Sequence, residues 1–497
     1  MSLPAHVRVA IVGAGFGGIG TAIRLLQEGE RDFVLLERAH TVGGTWRDNT
    51  YPGCACDVQS SLYSFSFAPK PDWSRSFSPQ PEIQAYLEAC TDRFGVRPHV
   101  RTNCEVLDAG WDGAAAQWRI TTTRGMLTAQ VLVMAQGPLS EPVLPALPGL
   151  ERFRGRAFHS ARWDHDFDLA GKRVAVVGTG ASAIQIVPAI QPVVARLHLF
   201  QRTAAWVMPR YDRALGRMER ALYRRVPATQ RLARSTLHAA RELLVAAFRR
   251  PPLAQRLARV ARHHMEKAIA DPALRAKLTP PYVLGCKRIL VSDDYFPALA
   301  RPNVEVVTDS ITEVREHGIV AADGVERPVD AIVFGTGFRP TAPPLAEHVR
   351  GRDGRTLAEV WAGSPAAYLG ITVAGFPNLF MLLGPNTGLG HTSVVLMIEA
   401  QVEHILGALR HASMHRVAAL EPRPEAQRAW LAEVDARMRG TVWVTGGCTS
   451  WYLDGTGRNS ALWPDSAGRY RRRVVRFDAA AYMASLLDAE AREPALV

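Results

Sequence analysis

At 497 residues the chain is too long for a single hydrophobic core and is expected to divide into two or three domains. Hydrophobic residues at 47% and charged residues at 21% describe an ordinary globular protein and exclude a disordered, collagenous or membrane-embedded chain. The formal net charge of +12 is concentrated, because positions 211–285 hold 16 Lys and Arg against 5 Asp and Glu.

The N-terminus enters a strand almost at once, which leaves no room for a secretory leader, and no apolar run approaches a membrane span. Six cysteines spread over this length make no disulfide framework, so a reducing, cytoplasmic setting is expected. Cys54 and Cys56 are not spaced for a metal site with the others, and no metal is expected.

His6 to Val12 (HVRVAIV) is a β-branched run suited to a buried parallel strand. It runs into a glycine turn containing Gly13, Gly15 and Gly18, then into an apolar-periodic helix. Gly13 permits the turn, Gly15 lets the backbone approach a pyrophosphate, and Gly18 allows helix to pack on strand. The free N–H groups at the helix start favour the negative pyrophosphate. The next strand, Phe33 to Leu36, ends in Glu37, 24 positions after Gly13. A carboxylate there accepts both ribose hydroxyls and repels a 2′-phosphate, so FAD is the expected occupant. Val131 to Gly137 reads as the exit from this unit, and Pro142, Pro145 and Pro148 mark a stiff linker.

Arg173 to Val177 is a second buried strand, leading into Gly178, Gly180 and Ala183, the alanine still being small enough for helix packing. The following strand, Arg196 to Phe200, ends in Gln201, Arg202 and Thr203, and Arg202 again lies 24 positions after the first glycine. Where the first site has an acid, the second has a guanidinium, the chemistry of a 2′-phosphate. NADPH is therefore expected over NADH; a surface arginine at a strand end is the plainer alternative. Positions 211–285 read as an inserted set of helices with an arginine-rich solvated face. Attraction to an acidic membrane surface is the sharper alternative, and no base-reading module or aromatic platform supports nucleic-acid binding. Asp330 to Phe338 reads as a strand ending in a Gly-Thr-Gly turn, where the chain returns to the first unit.

Between the two glycine turns lies FRGRAFHSARWD, residues 153 to 164. Its Phe153, Gly155, His159 and Trp163 match the fingerprint of Baeyer–Villiger monooxygenases, class B flavoenzymes that insert oxygen beside a ketone. Asp164 stands where many members have Pro. GGTWRDNTYPGCACD, with Gly44, Thr45, Trp46 and Asp57, resembles the second family signature, and Thr50 departs from its usual basic residue. GCKRILVSDDYF resembles the segment carrying the family's active-site arginine, here Arg288, and SWYLDGTGRNSALWP a segment near the substrate.

The resemblance implies an α/β fold with two Rossmann-like domains and a helical insertion. It divides the chain into an FAD unit (1–147 and 335–497), a fingerprint linker (148–164), an NADP unit (165–210 and 286–334) and the basic insert (211–285). It implies that NADPH reduces FAD, that O2 adds at flavin C4a, and that the peroxide attacks a ketone to give an ester or lactone. Arg288 would steady the negative charge, Asp57 would orient Arg288, Lys287 would help hold the 2′-phosphate, and Trp451 would reach the cofactor and substrate pocket. His159 reads either as a hinge or hydrogen-bond switch sensing NADP+, or as a structural histidine, and Trp163 as a linker anchor. Three alternatives stand beside this: oxidation of sulfur or nitrogen centres, a disulfide reductase (which the chain's cysteines do not suit), and a non-catalytic NADP/flavin sensor.

Overall fold

The computed structural model describes residues 2–341 and 343–486, so the 487–497 end of the expected FAD unit lies outside the described residues. Eight strands form the first sheet. His6–Val12 runs parallel between Phe33–Leu36 and Gly125–Met134, with Val100–Arg101 on one flank and Leu379–Met381 also pairing parallel to Gly125–Met134. Val106–Asp112 and Gln117–Thr122 continue the sheet as an antiparallel meander, and Val349–Arg350 pairs parallel to Val106–Asp112 at its edge. The central strand lacks polar alternation because both its faces are covered: Val9 and Ile11 enter one core cluster, and Val7, Ala10 and Val12 the other.

The second sheet is wholly parallel, in the order Val304–Val307, Arg196–Phe200, Arg173–Val177, Ala331–Phe334, Arg156–His159. Its last strand corrects the reading of 148–164 as linker alone. Arg156–His159 pairs in register with Ala331–Phe334, and Phe153 packs partly buried against the same core. The fingerprint is therefore an edge strand, hidden from periodicity because it is four residues long and buries only His159 fully.

Each glycine turn meets the exit strand of its own sheet. Gly13 has φ +102° and a Cβ there would lie 2.8 Å from the carbonyl oxygen of Ala135; Gly178 has φ +113° and would meet that of Gly335 at 2.4 Å. No side chain fits either position, so each turn presses against the crossing segment. The two crossings pair with each other: Pro142 bridges Phe338, Val143 N–H donates to Gly337 O (2.9 Å) and Arg339 N–H to Glu141 O (3.1 Å). Two short antiparallel segments thus connect the sheets.

The insert is helical, with helices Arg217–Arg225, Pro227–Glu242, Leu244–Arg249, Pro251–Ala268 and Pro272–Leu278. Its arginines are not all solvated, which amends the expectation of a wholly exposed basic face: Arg234 and Arg241 point inward onto backbone and side-chain acceptors. No described helix is long and apolar enough to cross a membrane.

The long helix Val395–His415 anchors the C-terminal segment through His404, whose Nδ1 and Nε2 lie 2.8 Å from Val474 O and from the Tyr482 hydroxyl. Burial lowers the His404 pKa from 6.5 to about 4. Below pH 6.5 an unfolded chain takes up a proton that the folded one refuses until about pH 4. The stabilisation is therefore full above pH 6.5 and is lost progressively down to pH 4, by about 3 kcal/mol. Melting temperatures measured from pH 7 to pH 4 should fall in wild type and flatten in His404→Gln; equal slopes would exclude His404 as the cause.

Candidate active site

Both glycine turns open into one cavity of about 1230 Å³. At the first turn, Glu37 is buried and its carboxylate accepts from the N–H groups of Ala14 and Ala39, both at 2.9 Å, with Arg47 at 2.8 Å. The carboxylate is thus locked against the turn, at the rim of the cavity. Gly44 precedes the short helix Thr45–Asp48, and Thr45 and Trp46 line the cavity beside it. Trp46 Nε1 donates to the Tyr63 hydroxyl at 3.2 Å.

At the second turn, Gly178 and Gly180 line the cavity while Ala183 starts the helix Ala183–Ile190 behind them. Arg202, Thr203 and Lys287 line the same end. Arg202 and Lys287 form no ion pair with any described carboxylate. Partial burial lowers the Lys287 pKa and the neighbouring Arg202 lowers it further. Two cations facing one space without a counter-ion fit a dianionic ligand group.

Between the two turns sits the Asp57–Arg288 pair. Arg288 Nε and Nη2 donate to Asp57 Oδ2 and Oδ1 at 2.7 and 2.8 Å, a bidentate fork. Asp57 holds the Arg288 pKa well above its usual value. Burial works against the Asp57 charge, but Arg288, Arg241 and Arg210 outweigh it and leave the carboxyl below its ordinary pKa. Both side chains stay open to the cavity, at 30% and 23% exposure, so the cation is fixed yet reachable. Trp451 also lines the cavity and is 45% exposed.

The fingerprint residues do not reach this space. His159 is buried, its Nδ1 accepts from Ala161 N–H at 3.1 Å, and its Nε2 has no partner. Burial depresses its pKa, which keeps the ring neutral at neutral pH. Its ring meets Phe338 edge-on at 5.5 Å, directly on the paired crossings. Trp163 packs edge-on against Phe158 at 5.1 Å, Gly155 passes beneath Asp330, and Gly18 lies below the first turn.

Three residues here were not singled out from the sequence. Tyr452, next to Trp451, is fully buried, and burial pushes its phenol up to about 12 although Arg288 pulls it down. Gln185, on the helix after the second turn, accepts from the Tyr51 hydroxyl (3.0 Å) and donates to Ala55 O (3.0 Å), locking the YPG loop onto the second sheet's helix. Arg241 comes from the basic insert. Only its spacing with Gln230 and Arg234 on one helical face signalled an inward role.

The absence of a disulfide was also wrong for one pair. Cys286 bonds Cys448 across 162 residues, tying the segment of Lys287 and Arg288 to the loop of Trp451 and Tyr452. Spacing alone gave no sign of it, since the partners meet only through tertiary folding. Closing so long a loop contributes about 2–4 kcal/mol. Cys448→Ser should melt measurably lower than wild type under non-reducing conditions and match it in reductant; no difference in either would show the cross-link to be idle.

Comparison with known proteins identifies the family. The model of the flavin-binding monooxygenase-like family matches residues 6–357. A Baeyer–Villiger monooxygenase of Streptomyces coelicolor is 58% identical over 479 residues, covering 96% of this chain and 92% of the relative. The NADP+-bound cyclohexanone monooxygenase of Rhodococcus sp. Phi1 superposes with a TM-score of 0.86 at 30% identity, covering 98% of this chain and all (100%) of that one. OTEMO in complex with FAD and NADP superposes at 0.87 with 27% identity, covering 97% and 100%. The chain belongs to the flavin-binding monooxygenase-like family.

Proposed function

We propose that this chain is an NADPH-dependent flavoprotein monooxygenase of the Baeyer–Villiger type, which uses O2 to convert ketones to esters or lactones. The observation that carries the reading is the single cavity that joins two dinucleotide turns to a carboxylate-held guanidinium. When bound, FAD supplies the oxygen chemistry and NADPH the reducing electrons. The residues present fit both groups: two turns where a Cβ would strike backbone, an acid at one ribose position and unpaired cations at the other.

The chain's own residues then have distinct tasks. Gly13, Gly15 and Gly18 form the FAD pyrophosphate cradle, Glu37 receives the ribose hydroxyls, and Gly44, Thr45 and Trp46 continue the contact. Gly178, Gly180 and Ala183 form the NADP cradle, with Arg202, Thr203 and Lys287 around the 2′-phosphate. Arg288 presents a permanent positive charge to the negative charge that develops on oxygen. Asp57 orients it. Trp451 closes the cavity over the substrate, and His159 couples the edge strand to the crossings. The FAD unit is assigned to 1–147 and 335–497 and the NADP unit to 165–210 and 286–334, to which the edge strand 156–159 is added.

Purified yellow protein incubated with NADPH, O2 and cyclic, linear and aromatic ketones tests the reading. Products heavier by one oxygen atom and cleavable as esters are expected. Conversion of sulfides or amines alone, with every ketone recovered, would overturn it.

A further inference from the structure

The basic insert makes contact with the active site through one helix face. From Pro227–Glu242, Gln230 donates to Lys70 O at 2.7 Å, and Arg234 to Ser61 O and Ser64 O at 2.7 and 3.0 Å. Arg241 Nε and Nη2 both donate to Gln59 Oε1, at 3.1 and 2.7 Å. Glu242 Oε1 lies 2.9 Å from His391 Nε2 and accepts from Ala467 N–H at 3.1 Å. One helix therefore grips the segment 59–70 that follows Asp57, together with two later parts of the chain.

The grip falls where it matters for charge. Gln59 lies two positions after Asp57, and the Arg241 and Arg210 charges both help Arg288 hold the Asp57 carboxyl below its ordinary pKa. Burial lowers the Arg241 pKa, and Asp57 together with three donated hydrogen bonds works against that cost. A solvated face would need no such arrangement. Arg231, on the same helix, is exposed and makes no such contact.

We propose that Arg241 is a positioning residue for the Asp57–Arg288 pair: through its two hydrogen bonds to Gln59 it fixes the turn that carries Asp57. Arg241 does not line the cavity and acts through Asp57. The inference rests on the reading of Arg288 as the working cation.

The test compares Arg241→Gln, Arg241→Lys and the exposed control Arg231→Gln in the FAD-loaded enzyme, with ester, peroxide and NADPH measured together. Arg241→Gln is expected to lower kcat for ester about tenfold, the low end of a charged hydrogen bond's worth, with KM for ketone and for NADPH unchanged. Peroxide released per NADPH should rise. Arg241→Lys should recover most of the loss, and Arg231→Gln should behave as wild type. In an Asp57→Asn background, Arg241→Gln should cost less than about twofold, because its route to Arg288 is already cut. Independently of turnover, amides 58–64 should exchange hydrogen faster in Arg241→Gln than in wild type, with NADP+ bound and no ketone. A full tenfold cost in the Asp57→Asn background, no rescue by lysine, or unchanged exchange would overturn the proposal. Arg288→Ala in the same assay separates the two readings. If it lowers ester formation by about a hundredfold or more while Arg241→Gln is silent, only the role of Arg241 falls; if it too is silent, the assignment of Arg288 falls first.

Discussion

Arg288→Ala is expected to lower kcat for ester formation about 10²–10³-fold, as loss of one preorganised donor to a developing oxyanion typically does. NADPH oxidation should continue and end in peroxide. The magnitude follows from where the charge sits: a guanidinium held on two hydrogen bonds, 30% exposed, in a cavity walled by protein, needs little reorganisation when negative charge appears on oxygen. Arg288→Lys should retain part of the effect, because an ammonium supplies charge without the fork that Asp57 aligns. Removing the cation also leaves the Asp57 carboxylate without its main partner; Asp57→Asn relieves that unpaired charge but supplies no cation, so it should not restore ester formation in the Ala variant. Gas-chromatographic ester yield alongside peroxide and NADPH decides the matter. Ester formation within twofold of wild type in Arg288→Ala would remove the mechanism.

Arg202→Ala should raise KM for NADPH roughly 10- to 100-fold and leave that for NADH unchanged, the span of one charge-assisted hydrogen bond. Lys287→Ala should move the two constants in the same directions. The reason lies in the charges: burial and Arg202 together lower the Lys287 pKa, and a phosphate between the two cations would relieve their repulsion. NADP+ should therefore raise the melting temperature of wild type well above the rise given by NAD+, and the gap should shrink in Arg202→Ala, where Lys287 alone remains. Parallel losses for both nucleotides would place Arg202 outside the phosphate site.

Much of this architecture was legible from residues because the relevant physics is local. Strands His6–Val12, Phe33–Leu36, Arg173–Val177 and Arg196–Phe200 have the bounds that their apolar runs and glycine turns imply. A turn that must approach a pyrophosphate admits few residues, and the acid or base at the next strand's tip selects the ribose. These constraints act within some 25 positions, and they reach the fold class and both cofactors. The family motifs added the reaction.

What the sequence could not carry were relations between distant segments. Arg156–His159 is an edge strand only because Ala331–Phe334 lies beside it, and four residues hold no period of their own. The arginines of Pro227–Glu242 read as a solvated face until Gln59, Ser61 and Ser64 arrive beneath them, since composition records charge but not direction. Cys286 and Cys448 stand 162 positions apart and meet through the packing of an insert on a C-terminal loop. The chain by itself determined where the two glycine turns lie and pointed to the two nucleotides; the tertiary structure alone decided which charges converge on Asp57. Hydrogen bonding at a turn is set by neighbours in sequence, whereas the field at a buried carboxylate is set by whatever the folded chain brings within a few ångströms.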